Sequence, residues 1–273
     1  MDSLPFMKMH GLGNDFVVID SRGRAPVVTP ELARAVGNRH LGVGFDQLAE
    51  ILSSDDSTVE LVFYNADGST AGACGNATRC IARHLMSESG ASEVTLRTER
   101  GILIGQDAGN GRTRINMGPP ILEWQNVPLA HEVDMLRLPI EGTPVATGMG
   151  NPHCTFIVED AEAVDLETLG PKFEHHPLFP ERTNVQFISL LSTDRIRMRV
   201  WERGVGVTMA SGSSSCASAV AAARRGITGR RVDVVLDGGE LQIDWREDGV
   251  WMTGETMHAF DATLSRAFLE TVR

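Results

Sequence analysis

A chain of 273 residues with 42% hydrophobic and 22% charged side chains has the make-up of an ordinary globular protein, long enough for one or two domains that each bury a core. The formal charge of −11 is spread without a basic stripe or interleaved aromatics, which excludes a nucleic-acid footprint. No apolar run reaches the roughly 18 residues of a membrane span, and the first six residues lack signal-peptide features, so a soluble cytoplasmic protein that does not engage membranes is expected.

The cysteines are Cys74, Cys80, Cys154 and Cys216, too few and too scattered for a disulfide framework. The spacing of Cys74 and Cys80 fits no common zinc site, and no metal is expected. Lys8 and Lys172 are the only lysines, and neither sits in a site motif, which argues against pyridoxal phosphate. No cofactor is expected, and the partner is a small metabolite.

In chain order, the first half opens with a loop around Asn14 and an apolar strand over residues 16–19. Thr29 and Pro30 then start a helix that runs through Val36, as an N-cap and a first-turn proline should. Strand patterns follow at residues 47–52, 59–64, 93–97, 101–104 and 113–116, interrupted by a helix from about Gly75 to Ser89 that stops at Gly90. Gly118, Pro119 and Pro120 form the expected linker.

The second half repeats the theme, with strands at 155–158, 185–188, 195–200, 232–236, 241–245 and 250–252. A helix near 161–169 should stop at Gly170 and Pro171. Another runs from about Gly212 to Arg225 and ends at Gly226; its Ala, Ser and Cys side chains give it no charged face over three turns, so a sheet should wrap it. The expectation is an α+β fold of two homologous, pseudo-symmetric domains. Each is a mixed, mostly antiparallel sheet curled around a central helix, with the active site in the cleft between them.

The two central helices carry the same opening device. Asn65 precedes Cys74 by nine positions and Glu202 precedes Ser211 by nine; Gly75 or Gly212 follows, and the two copies lie 137 positions apart. Paired acid/base groups of this kind, one on each face of a carbon, are what inversion of a stereocentre needs. Cys74, just before its helix, has backbone N–H groups and the positive dipole end to stabilise a thiolate. The N–H groups of Gly75, Asn76 and Ala77 suit a carboxylate. Set against this, a lone Cys beside Gly is as often a packing residue, and Ser211 taken alone reads as a helix N-cap. The loop from Gly148 to His153, with Asn151, and the positions Asn14 and Asn184 offer polar recognition; His175 and His176 read as a solvated loop.

With those residues in view, the chain resembles the diaminopimelate epimerase family along essentially its whole length. The resemblance rests on segments at 11–16, 44–47, 65–69, 74–80, 150–153, 183–185 and 201–204, in the family's order. It implies cofactor-independent, two-base epimerisation of LL-diaminopimelate to the meso isomer. Under it, Cys74 is one base and Ser211 stands where the second catalytic cysteine belongs. His153 and Glu202 support the catalytic groups or the substrate amine. Asn14, Gln47, Asn65, Asn151, Asn184 and Arg203 bind the two amino-acid ends. Backbone N–H groups of Asn76, Ala77, Gly212 and Ser213 meet the reacting carboxylate, with Gly75 beside them.

The resemblance also implies domains of residues 1–118 plus about 264–273 and of residues 119–263, and a homodimer is the assembly expected. The chain departs from the family pattern at Ala77, Val207 and Ser211. Only Ser211 bears on the chemistry; it reads as a Cys→Ser change in surroundings built for two thiols, which would cripple turnover. Two other readings stay open at this point: a one-base hydroxyproline dehydratase or racemase of the proline racemase group, and a non-catalytic amino-acid-binding protein.

Overall fold

The computed structural model describes residues 3–272; Met1, Asp2 and Arg273, which the expected domain boundaries include, lie outside the described residues. The chain divides into two compact units, Met1–Ile115 with Glu255–Arg273 and Asn116–Gly254.

The first unit contains β1 (Ser3–Gly11), β2 (Asn14–Asp20), α1 (Pro30–Gly37), β3 (Gln47–Leu52), β4 (Val59–Asn65), β5 (Thr70–Ala71), α2 (Gly75–Ser89), β6 (Glu93–Thr98), β7 (Gly101–Asp107) and β8 (Arg112–Asn116). The second contains β9 (Val145–Gly148), β10 (Pro152–Ile157), α3 (Leu166–Glu174), β11 (Asn184–Ser192), β12 (Arg195–Glu202), β13 (Gly206–Val207), α4 (Gly212–Arg224), β14 (Arg231–Leu236), β15 (Gly239–Arg246) and β16 (Gly249–Glu255). The chain then closes with β17 (Met257–Ser265) and α5 (Arg266–Glu270).

Topology repeats between the units. In the first, β1–β2 is antiparallel, β2–β3 parallel, β3–β4 and β4–β5 antiparallel, β4–β6 parallel, and β6–β7 antiparallel. In the second, the same sequence of directions runs through β9–β10, β10–β11, β11–β12, β12–β13, β12–β14 and β14–β15. Each parallel β4–β6 or β12–β14 step needs a crossover, which α2 or α4 supplies. The two halves are therefore the same fold made twice, mixed and mostly antiparallel as the pattern of strands predicts.

Small side chains let strands close around the helices. α4 touches β9, β10, β11, β12, β14 and β15, and Ala217, Val220, Ala221 and Ala222 are fully buried. α2 packs on β1, β2, β6 and β7 through Ala77, Ile81, Ala82 and Leu85. Adding even a few methylenes to such a core typically costs about 1–3 kcal/mol, so the run of Ala and Ser is a packing requirement as much as a helix signal. A second apolar cluster in the second unit joins Phe156, Phe173 and Phe187 to Leu138 and Ile140 of the irregular stretch before β9.

Four departures from the sequence reading have local causes. β1 is absent from it; in the fold Leu4, Phe6, Met7 and Met9 are buried and β1 pairs with both β2 and β17. The chain returns to the first unit at Glu255, earlier than the expected 264, because β17 pairs with β1 along its length. The helix expected near 161–169 begins instead at Leu166, where Asp165 caps the Thr168 N–H at 3.2 Å. It continues through Gly170 and Pro171 to Glu174. The glycine is needed there for closeness, since a Cβ on Gly170 would lie 2.5 Å from the Trp201 ring.

Candidate active site

In the first unit, Cys74 occupies the N-cap of α2 with extended backbone (φ −144°), and its Sγ accepts the Ala77 N–H at 3.4 Å. Its carbonyl accepts from both the N–H and the hydroxyl of Thr78, at 2.9 and 2.8 Å. The sulfur is half-buried and lies against the positive end of a helix dipole, an arrangement that favours thiolate. The Ala77 N–H, one of the donors expected to meet a carboxylate, is bonded here to the sulfur. The other thiols of the chain are buried. Burial pushes Cys80 up to about 11 despite the opposing charge of Arg79, and burial raises Cys154 further.

The amide side chains expected to bind substrate form two linked pairs around this cap. Gln47 and Asn65 face each other across β3 and β4, and the Gln47 amide donates to Asn65 Oδ1 at 3.3 Å. Asn65 in turn donates to Ser69, closing the turn after β4 at 3.0 Å. Asn76 donates to Asn14 Oδ1 at 3.1 Å, and Asn14 donates to Asp46 at 2.8 Å.

Arg79, fully buried on α2, holds the far side of Asn76 by donating to its Oδ1 at 3.0 Å. Gly11 leaves room for it, since a Cβ there would lie 2.7 Å from an Arg79 nitrogen. Asp15 completes the cluster through Lys8 and Arg39. Burial alone would raise the Asp15 carboxyl, but the bonds from Arg39 and Lys8 outweigh it and hold it below the usual range.

In the second unit, Ser211 is the N-cap residue of α4, again with extended backbone (φ −132°), and its carbonyl accepts from the N–H and hydroxyl of Ser215 at 3.1 and 2.7 Å. The backbone device is the one at Cys74, but the side chain behaves differently. Ser211 makes no side-chain cap bond. Its Oγ instead lies 2.8 Å from Glu202 Oε2 and 2.9 Å from Ser214 Oγ, while Thr208 donates to the other Glu202 oxygen at 2.6 Å. Ser211 thus holds the N-cap position that the sequence suggests, without a side-chain capping bond. Gly212 and Ser213 open α4 directly after it.

His153 is fully buried on β10, its Nε2 2.9 Å from Asn151 Oδ1 and its Nδ1 2.9 Å from the Gln186 amide nitrogen. Its register partner on β11 is Asn184, which donates to the Pro152 carbonyl at 3.0 Å and accepts the Arg203 N–H at 3.0 Å. Asn151 and Arg203 both line a cavity of about 310 Å³ with Ile121, Gln125 and Glu181.

Glu174, buried at the end of α3, pins the same turn from the other side. It accepts the Trp201 indole N–H at 2.7 Å and the Gly204 N–H at 2.9 Å. Glu174, Gln186, Ser214, Thr208 and Arg79 are missing from the sequence reading. Gln186 and Arg79 leave a trace in it, each a polar residue inside an otherwise apolar or small-residue stretch.

Among the described residues no group of three or more His, Cys, Asp or Glu is placed to hold a metal, and no helix is long and apolar enough to cross a membrane. His175 and His176 serve the end of α3, where His175 approaches the Pro171 carbonyl and His176 Nδ1 accepts the Leu178 N–H.

The sequence model of a family described as diaminopimelate epimerase matches residues 6–123 and 145–259. A diaminopimelate epimerase of Rhodospirillum centenum is 50% identical over 97% of this chain and 93% of its own length. One from Acidiphilium cryptum is 46% identical over 97% and 98%. Among solved structures, a hydroxyproline epimerase from Agrobacterium vitis matches with TM-score 0.70 at 14% identity, over 97% of this chain and 93% of that one. A phenazine biosynthesis protein from Bacillus anthracis matches with TM-score 0.69 at 15% identity over 97% and 99%, and both likenesses are of fold. With a family match over most of its length and relatives near half identity, the chain belongs to the diaminopimelate epimerase family.

Proposed function

We propose that this chain binds diaminopimelate and that its machinery is built to move the proton at one Cα from one face to the other without a cofactor, Cys74 and position 211 being the two acid/base positions. The observation that carries this is the repeated N-cap device: the same fold, the same extended cap residue and the same bonds to its carbonyl recur at Cys74 and Ser211. Diaminopimelate is the substrate named for the relatives at 43–50% identity, which favours it over hydroxyproline.

Cys74 as thiolate takes the Cα proton, and the carbanion spreads its charge onto the adjacent carboxylate. Backbone donors of Gly75 and Asn76, and of Gly212 and Ser213, meet that charge as it develops, which is where preorganised donors are worth most. His153 and Glu202 orient the reacting groups. Asn14, Gln47, Asn65, Asn151, Asn184 and Arg203 recognise the two amino-acid ends. A reducing, cytoplasmic setting keeps Cys74 a thiol.

The second base is the weak point of this chain. A serine hydroxyl is a poor proton acceptor unless a strong base activates it, and a carboxylate such as Glu202 is too weak to leave an alkoxide at neutral pH. Turnover by this chain is therefore slow, and Ser211→Cys restores it. The test is incubation with LL- and meso-diaminopimelate and with hydroxyprolines in D2O, followed by NMR. Exchange or inversion of diaminopimelate supports the reading; release of pyrroline carboxylate, or binding with no exchange in either form, overturns it.

A further inference from the structure

The turn after β4 ends a row of hydrogen-bonded side chains in a group that only accepts. Asp67 takes the N–H and the hydroxyl of Ser69 on one oxygen, at 2.8 and 2.6 Å. The bonds from that hydroxyl and N–H hold the Asp67 carboxyl below its usual range, so near neutral pH it is ionised and has no proton to give. Ser69 has one hydroxyl proton, and Asp67 receives it. The Ser69 oxygen therefore accepts from Asn65, 3.0 Å away, which turns the Asn65 nitrogen to Ser69 and its oxygen to Gln47. Across β3 and β4 the Gln47 nitrogen then donates to that oxygen at 3.3 Å. Turning either amide over sets oxygen against oxygen.

The neighbouring amides follow the same plan with a cation at their head. The Arg79 guanidinium, which can only donate, bonds Asn76 Oδ1 at 3.0 Å; Asn76 donates to Asn14 Oδ1 at 3.1 Å, and Asn14 to the Asp46 carboxylate at 2.8 Å. Donation runs one way, from a positive group through two amides to an aspartate. It runs the same way from Gln47 to Asp67. Gln47 is half-buried, and among the described residues no donor reaches its Oε1.

We propose that Asp67, acting through Ser69 and Asn65, is a positioning residue that holds Gln47 as an acceptor, and that Gln47 Oε1 receives an ammonium group of the substrate and not a carboxylate. An ammonium has three donors and no acceptor, and a carboxylate the reverse, so the direction of one amide chooses between the two groups of an amino-acid end. The ammonium would stand to Gln47 as Arg79 stands to Asn76. This recognition rests on the substrate-binding role proposed above for Gln47; the direction of the amides does not.

The direction is read by neutron diffraction from the full chain with its exchangeable hydrogens replaced by deuterium. A Gln47 deuteron should point at Asn65 Oδ1, an Asn65 deuteron at Ser69, and the Ser69 hydroxyl deuteron at Asp67. Ser69→Ala should leave Asn65 in both orientations, and Ser69→Thr should keep it in one. A Gln47 oxygen facing Asn65, or one unchanged orientation of Asn65 in Ser69→Ala, overturns the positioning role.

Recognition is read by calorimetry with diaminopimelate on this same chain. Gln47→Leu removes the acceptor and should raise Kd about tenfold, as loss of one hydrogen bond to a charged group does. Gln47→Glu keeps an acceptor and adds negative charge, so it should bind more tightly than Gln47→Leu. Where Gln47→Glu does not fold, the same comparison is made in the Ser69→Ala background, in which Asn65 is free to turn its nitrogen to the new carboxylate. Weaker binding by Gln47→Glu than by Gln47→Leu overturns ammonium recognition. Equal Kd in all three forms removes Gln47 from the substrate and the ammonium contact with it. No binding by the unmodified chain sinks the substrate reading itself, and the deuteron positions still judge Asp67.

Discussion

The Ser211 hydroxyl points at Glu202, 2.8 Å from Oε2, although it occupies the N-cap position where a serine ordinarily serves its own helix. Its counterpart Cys74 does the reverse, accepting the Ala77 N–H through sulfur. The sequence repeat is thus exact in backbone and asymmetric in side-chain chemistry. Donation to a carboxylate, itself a weak base, leaves Ser211 a hydroxyl, which is a poor proton acceptor at neutral pH.

Replacing Glu202 with Leu removes the acceptor for two hydroxyls, Ser211 and Thr208. Each donor left without a partner costs about 1–3 kcal/mol. Urea denaturation of Glu202→Leu should show a lower midpoint at unchanged slope. An unchanged midpoint would mean that water or a rearranged side chain meets both hydroxyls, and the Glu202–Ser211 bond would carry no weight.

Thiol reagents should discriminate sharply among the cysteines. Cys74 is half-buried at a helix N-terminus, whereas burial pushes Cys80 up to about 11 and Cys154 further, and Cys216 is buried. Limiting iodoacetamide near pH 7.5 (about one unit below the ordinary thiol value of 8.5) should label Cys74 first, read by peptide mass spectrometry. The labelled protein, like Cys74→Ala, should lose exchange of the substrate α-proton. Preferential labelling of Cys80 would contradict the thiolate environment described for Cys74.

Glu174 links fold to recognition without touching the proposed substrate residues. Its acceptor bonds to Trp201 and Gly204 hold the turn that carries Glu202 and Arg203. Glu174→Ala should lower stability by about 1–3 kcal/mol for each buried donor left unmet and raise KM for diaminopimelate in the Ser211→Cys form more than it lowers kcat. A variant of native stability and native KM would show that the turn holds itself.

The sequence carries the site's essentials because they are local. Nine-residue spacings before Cys74 and Ser211, and Gly after each, are visible without a fold, and so are helices bounded by Thr29 and Pro30 or by Gly90 and Gly226. What it hides depends on long-range pairing. β17 is mostly exposed along its length and shows no alternation, so only its partner β1 reveals it. Pro171 reads as a stop because local rules disfavour it, yet packing of Gly170 on Trp201 carries α3 through. Gln186 and Ser214 gain meaning only when β11 and α4 bring them to His153 and Ser211.

Acid stability should depend on Asp15. Its carboxyl lies below the ordinary value of 3.8 in the folded protein, since Arg39 and Lys8 outweigh the burial that would raise it. A depressed folded value means the stabilisation is fully present above the unfolded value and is lost as pH falls through the folded one. The stability gap between the protein and Asp15→Asn should thus be constant near neutrality and shrink below about pH 4. A gap that is flat from pH 6 into strong acid would contradict the Asp15–Arg39–Lys8 cluster.

The most direct measurement compares solvent deuterium incorporation at Cα with net inversion, for LL- and meso-diaminopimelate, in this chain and in Ser211→Cys. Two groups on opposite faces are needed to invert, and removal of one acid/base group typically lowers the rate about 10²–10⁴-fold. The account predicts inversion slower by at least that factor with Ser211, with slow exchange by Cys74 alone on one isomer, and recovery of both in Ser211→Cys. Inversion by the Ser211 chain at the rate of the cysteine form would contradict it.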